Sequence, residues 1–260
     1  ASVVQPTCAV PSGTITFATQ AGVEYSIGGA FQASEVFSNV SPGTYTLTVR
    51  STTDNTCETA AASTVTIDAV PTAPVAPVAS VTVQPTCALP TGTLVVSSPT
   101  GANLEYSING TDWQASTTFA GLVPNDYTVT VRSTVDNTCE TSGSTVTVNA
   151  VPGAPSAPIA SATQQPTCAA ITGTIEVSSP TGASLEYSID GTNWQTGTTF
   201  AGLTAGADYT VSVRDTNDTT CVSTGSAITI DAVPTAPSVP TVASVVQPTC
   251  AVPSGTITFA

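Results

Sequence analysis

The sequence predicts an all-β protein, a string of small β-sandwich modules. Three observations predict it. The tetrapeptide Gln-Pro-Thr-Cys recurs at Gln5, Gln84, Gln165 and Gln247, so its cysteines Cys8, Cys87, Cys168 and Cys250 stand 79, 81 and 82 residues apart. Between these marks, short apolar runs alternate with polar residues at period two and are punctuated by Gly, Pro and Asn. No stretch carries the 3.6-residue periodicity of an amphipathic helix.

The repeat spacing divides the chain into modules at 1–78, 79–159 and 160–242, followed by the start of a fourth at 243–260. Residues 243–260 reproduce residues 1–18 letter for letter, which implies a longer parent array. The chain opens on Ala with no basic segment ahead of an apolar one, so any signal peptide is expected to lie outside it.

Within a module, Ile15 and Phe17, Leu94 and Val96, and Ile175 and Val177 read as a half-buried strand after a turn at Gly13, Gly92 or Gly173. The next strand, Leu104–Ile108 or Leu185–Ile189, ends at Asn109-Gly110 or Asp190-Gly191, dipeptides that favour a type I′ hairpin. Gly28-Gly29 takes that place in the first module. Further strands are read at Tyr45–Arg50, Tyr127–Arg132 and Tyr209–Arg214, and at Thr64–Ile67, Thr145–Val148 and Ala227–Ile230. Such short strands in a unit of this size suggest an immunoglobulin-like sandwich. The connectors Pro71–Pro77, Pro152–Pro158 and Pro234–Pro240 carry proline at every third position, the period of polyproline II. They predict semi-rigid spacers and an extended rod.

Composition excludes several functions. The net charge is −14, with 3 Lys+Arg against 17 Asp+Glu, so phosphate backbones and anionic lipid surfaces are repelled. No apolar run is long enough to span a bilayer. Without His or Lys, no catalytic triad, Cys-His dyad, Schiff base or P-loop can be built, and the acids recur at solvated turn and strand positions. The sequence therefore reads as a non-enzyme with no cofactor.

Two cysteines per module, with no His and no C-x-x-C, read as disulfides in a secreted protein. Pairing within each module is expected, Cys8 with Cys57, Cys87 with Cys139 and Cys168 with Cys221, each closing a loop whose restraint contributes about 4 kcal/mol. Glu24, Glu105 and Glu186 are expected to meet Arg50, Arg132 and Arg214 in cross-strand ion pairs on the outer face. Asp54-Asn55, Asp136-Asn137 with Glu140, and Asp215-Asn217-Asp218 put oxygen atoms in the loop before the second Cys; calcium is the functional reading, turn formation the favoured one. Trp113 and Trp194, with Phe31 at the matching place, could stack a sugar but more often cap a core or a module boundary.

Leu122-Val123-Pro124-Asn125-Asp126-Tyr127 and Val40-Ser41-Pro42-Gly43-Thr44-Tyr45 resemble the L-x-P-x-x-Y corner of fibronectin type III and related modules. The resemblance implies that the hydroxyls of Tyr45, Tyr127 and Tyr209 tie a corner back to the backbone, more loosely at Tyr209, where one residue is inserted. Taken together, QPTC, G-T-I-x-V, E-Y-S-I-D-G, the aromatic after it, F-x-G-L, Y-T-V-T-V-R and D-N-T-C resemble the immunoglobulin-like repeats of giant surface proteins of gliding bacteria exported by type IX secretion. The resemblance covers the whole chain. It implies a cell-surface stalk or filament that projects an adhesive tip, with glycan-binding and anchoring domains elsewhere; the alternative is an adhesin whose repeats bind glycan or substratum themselves. The low charged content, 8%, and rows of Thr and Ser such as Thr46, Thr48, Thr128, Thr130 and Ser212 lead us to expect lateral homo-oligomers.

Overall fold

A computed structural model describes residues 1–260. The chain forms two compact units, Ala1–Val151 and Pro152–Ala260. The first unit holds β1 (Ser2–Val4), β2 (Gly13–Thr16), β3 (Val23–Ser26), β4 (Val36–Val40), β5 (Gly43–Tyr45), β6 (Thr48–Ser51), β7 (Glu58–Ala60) and β8 (Val65–Ile67) in its first repeat. Its second repeat holds β9 (Val78–Val83), β10 (Gly92–Ser98), β11 (Leu104–Ser107), β12 (Thr118–Leu122), β13 (Asn125–Ser133) and β14 (Glu140–Val148). The second unit holds β15 (Ile159–Gln164), β16 (Thr172–Ser179), β17 (Leu185–Ser188), β18 (Thr199–Thr204), β19 (Ala207–Asp215) and β20 (Val222–Ile230), then a hairpin of β21 (Val242–Val246) and β22 (Thr256–Phe259).

The second repeat shows the plan most plainly. One antiparallel sheet runs β12-β10-β9 and the other β11-β13-β14. With the six strands lettered A, B, C, E, F and G in chain order, strand D being absent, these are the A-B-E and C-F-G sheets of an immunoglobulin-type sandwich. The third repeat keeps the order, β15-β16-β18 against β17-β19-β20. Alternation along β10, where Leu94 and Val96 are buried between half-exposed neighbours, puts one face of each sheet into a shared core. That core holds Leu94, Val96, Tyr106, Phe119, Leu122, Val129, Val131 and Val148. Burying a Leu or Val side chain of this kind contributes about 2 kcal/mol.

Three details depart from the sequence reading. Gly92 is not a turn but a buried strand residue; a Cβ there would lie 2.7 Å from Val148 and 3.0 Å from the Val83 carbonyl, so two strands cross too closely for a side chain. The Asn109-Gly110 segment is not a type I′ turn, since only Gly110 has positive φ. Instead Asn109 Oδ1 accepts from the amides of Thr111 and Asp112, and buried Ser107 Oγ accepts from Gly110 N, which holds open a wider loop closed by the Tyr106–Gln114 bridge. In the first repeat the strand predicted at Tyr45–Arg50 is split into β5 and β6. Its partner segment Glu58–Ile67 is one residue longer than Glu140–Val148, and the extra residue interrupts pairing after Ala60.

The glutamine of each Gln-Pro-Thr-Cys also has a use the sequence reading missed. Gln84 Oε1 accepts from Asn149 N at 2.9 Å and its Nε2 donates to the Thr147 carbonyl at 3.3 Å, clasping the end of β9 to the end of β14. Gln5 and Gln165 make the same two bonds in their repeats.

Candidate functional site: the joint between repeats

Antiparallel strands place the turn after the first strand of a repeat at one end of the sandwich and the loop before the last strand at the other. Cys8 lies on the first, between β1 and β2, and Cys57 on the second, between β6 and β7. A strand such as β10 spans seven residues, roughly 23 Å. A disulfide requires Cα atoms within about 7 Å. Pairing inside a repeat is therefore ruled out by the fold, and the expected Cys8–Cys57, Cys87–Cys139 and Cys168–Cys221 bridges are corrected.

Cys8 is bonded instead to Cys139 of the next repeat, with Cα atoms 5.1 Å apart. Cys87 and Cys221 are also disulfide-bonded, whereas Cys57, Cys168 and Cys250 are exposed thiols.

The joint is built by two preorganised loops. On one side the Thr7 amide donates to the Val10 carbonyl at 2.9 Å and Val10 N to Thr7 Oγ1 at 3.0 Å, so the turn presents the amides of Cys8 and Ala9 outward. On the other, Asp136 Oδ1 accepts from the amide and hydroxyl of Thr138 at 2.9 and 2.7 Å, and Cys139 N donates to the Asp136 carbonyl. Docking adds Cys8 N to Asp136 Oδ2 at 2.8 Å and Ala9 N to Thr138 Oγ1 at 3.1 Å. The Thr138 hydroxyl, then the Cys8 amide, then the Thr138 amide hold the Asp136 carboxyl below the usual carboxylate range. Beside the bridge, Gln5, Pro6, Thr7, Asp68, Ala69, Pro71, Val135 and Asp136 line a crevice of about 340 Å³.

The connector completes the joint. Pro71 and Pro74 are half-buried and Pro77 is buried, while most residues between them are exposed, so one edge of a three-residue-period helix faces the protein. Cys8 Sγ lies 3.3 Å from the Pro71 carbonyl, Thr141 Oγ1 donates to the Pro74 carbonyl at 2.6 Å, and Pro77 packs on Gly143, where a Cβ would collide with the Pro77 carbonyl. In the second unit Ser223 Oγ donates to the Pro155 carbonyl at 2.5 Å, and Pro158 sits on Gly225 likewise. The connectors Pro71–Pro77 and Pro152–Pro158 thus lie on the following repeat and are not free spacers, whereas Pro234–Pro240 is exposed throughout.

The other sequence-singled residues form two groups. Glu24, Glu105 and Glu186 stand directly opposite Arg50, Arg132 and Arg214 in the strand register, with closest N···O distances of 2.7, 2.9 and 2.7 Å. Each guanidinium also covers an aromatic ring, Phe31, Trp113 or Trp194, at 4.1, 4.1 and 4.2 Å from the ring centre. The sequence reading separated these residues; the structure joins them as carboxylate, guanidinium and ring. The Tyr45 and Tyr127 hydroxyls donate to the Ser41 and Val123 carbonyls, four residues upstream, at 2.8 and 2.9 Å. Tyr209 accepts from Thr204 N at 2.9 Å, with its own donation to the Thr204 carbonyl lengthened to 3.4 Å.

The acids of the D-N-T-C loops serve as turn formers. Asp215 Oδ1 accepts from Asn217 N and Nδ2, and Asp54 repeats the Asp136 pattern with Thr56. Cys8, Asp136 and Cys139 bring three donor atoms together, but their two sulfurs are bonded to each other. No helix of the structure is long and apolar enough to cross a membrane.

No family model and no curated protein sequence matches this chain. Among solved structures it is similar to the chicken CNTN1 FN1–FN3 domains, at 9% identity and a TM-score of 0.27 over 87% of this chain and 93% of that one. It is also similar to the fibronectin(III)-like modules of Clostridium thermocellum CbhA, at 11% identity and a TM-score of 0.28 over 59% and 94%. Domains 1–6 of the surface layer protein SbsC align at 10% identity and a TM-score of 0.28, over 85% of this chain and 36% of that one. The fold assignment rests on the strand order of the repeats themselves.

Proposed function

We propose that this chain is part of the stalk of an extracellular repeat protein, a surface fibre or filament that holds an adhesive tip away from the cell. The Cys8–Cys139 bridge carries the reading. It joins two sandwiches covalently at their ends, which makes the joint resistant to bending and to load. Disulfides of this kind persist outside the reducing cytosol, which supports an extracellular site. Export by type IX secretion and a part in gliding belong to the same proposal through the family resemblance alone.

The aromatic stacks also favour the stalk over repeats that bind glycan directly. One face of each indole, Trp113 and Trp194, carries the guanidinium of Arg132 or Arg214 and is closed to a sugar ring. Lateral association into a homo-oligomeric bundle fits the outer C-F-G face, where Thr128 meets Thr145, Thr130 meets Ser142 and Ser212 meets Thr224 in rows of paired hydroxyls. Antibodies to the repeats should label the length of surface fibres on the producing cell, and a glycan array probed with this chain should stay blank. Labelling restricted to fibre tips, or glycan binding at millimolar affinity or tighter, would replace the stalk by the adhesin reading.

A further inference from the structure

The Cys8–Cys139 bridge reaches across 131 residues, farther than the 79, 81 and 82 residues between successive Gln-Pro-Thr-Cys cysteines. A bridge of that reach made at each joint overlaps the next one. Cys87 falls inside the loop that Cys8 and Cys139 close, and Cys87 is itself disulfide-bonded. The same loop encloses the connector Pro71–Pro77, where Thr72, Ala73, Val75 and Ala76 are exposed, Val75 to 69%. The Val75–Ala76 bond suits an endopeptidase that takes small apolar side chains. Pairing inside each repeat would leave this connector on a single covalent strand, and pairing across the joint gives it a second path through sulfur.

The basic residues are withheld from proteases by another means. The chain has three, Arg50, Arg132 and Arg214, and no Lys. Each lies in the middle strand of a three-stranded sheet, β6 between β3 and β7, β13 between β11 and β14, and β19 between β17 and β20, so its strand is paired on both sides. An endopeptidase selective for basic residues takes its substrate as an extended strand, pairing with the backbone and drawing the cation into a pocket. A middle strand has no free edge to offer. Each guanidinium, moreover, donates through Nε and Nη2 to a glutamate and lies on an aromatic ring.

We infer that the repeats form a covalent frame built to survive proteolysis: endopeptidases selective for basic residues find no substrate in the folded chain, and a cut by any other class within the bridged segments leaves the two halves bonded through sulfur. The inference goes beyond the stalk reading and holds whatever the array carries. Hydrolysis adds one water across a peptide bond and leaves a carboxylate and an ammonium, and the S–S bond is untouched. No set of cuts between Cys8 and Cys139 parts the residues on either side of the joint, because the bridge itself is never in the cleaved path. Severing the frame takes a reductant as well as a protease.

With free thiols alkylated to stop exchange, trypsin should cut the native chain on the order of a hundred-fold more slowly than the reduced, urea-unfolded chain, since cleavage within a middle strand waits for local opening. Val75→Arg puts a basic residue on the exposed connector and should be cut there in the native state, giving two bands on a reducing gel and one band of full mass on a non-reducing gel. Cys139→Ser in the same background should give two bands on both. Because the chain has no Met, Val75→Met and Ser156→Met each admit one cut by cyanogen bromide in acid, which needs no access to a folded site. Both variants, and the double variant cut in the connectors Pro71–Pro77 and Pro152–Pro158 at once, should run at full mass until a reductant is added. Native cleavage at Arg50, Arg132 or Arg214 as fast as in the unfolded chain, or fragments of the Met variants that part without reductant, would overturn the inference.

Discussion

The amide of Cys8 donates to the carboxylate of Asp136 at 2.8 Å across 128 positions of sequence. This bond aligns the two sulfurs of the joint and gives a carboxylate in one repeat control over the end of its neighbour.

Non-reducing peptide mapping should recover Cys8 joined to Cys139, with Cys57, Cys168 and Cys250 open to alkylation in freshly purified chain. The joint should also be acid-sensitive. Because Asp136 titrates below its ordinary value in the folded state, its contribution is present above the unfolded carboxylate range near 3.8 and is lost as pH falls through the folded value. Asp136→Asn should weaken the joint at neutral pH and flatten this acid dependence, read as the rate at which a water-soluble trialkylphosphine, which needs no thiolate and is oxidised to the phosphine oxide by water as the two thiols form, reduces the Cys8–Cys139 bridge. An unchanged rate and an unchanged pH profile would count against the role given to the carboxylate.

The ring under each guanidinium makes a second prediction. Trp113→Ala removes the surface on which Arg132 rests and leaves the half-exposed Glu105 pair to water, where such pairs contribute little. A loss of about 1–2 kcal/mol is expected in urea denaturation, more than a lone surface ion pair supplies. Arg132→Lys should lose part of this, since an ammonium cannot lie flat on the indole while donating twice to Glu105. Equal stability of Trp113→Ala and the parent chain would show that the stack is incidental.

A third prediction is mechanical. With Cys8 bonded to Cys139, the 131-residue separation between them is bypassed by the covalent link, including the segment from Cys57 to Cys87. Single-molecule pulling of the whole chain should therefore gain at least roughly 430 Å of contour length when reductant is added. Identical extension with and without reductant would refute the cross-repeat bridge under load.

The sequence by itself determined the strands, the repeat period and the low-charge surface, because these are local matters. Period-two alternation at Leu94 and Val96, proline every third residue, and Tyr127 four residues after Val123 all act over a few positions. Even the Glu105–Arg132 pair was legible, since equivalent positions recur in every repeat. Which cysteine meets which was decided by tertiary structure alone. β4 runs antiparallel to β2 and the tight corner at Tyr45 reverses the chain once more, so the strand that leads to Cys57 runs in the direction of β2; the turn bearing Cys8 and the loop bearing Cys57 therefore fall at opposite ends of one sandwich, and proximity along the chain says nothing about proximity in space. The seat of Pro77 on Gly143 and the cover of Arg132 over Trp113 were hidden for the same reason. Each depends on how sheets stack and how one repeat abuts the next, and no periodicity within a single strand encodes that.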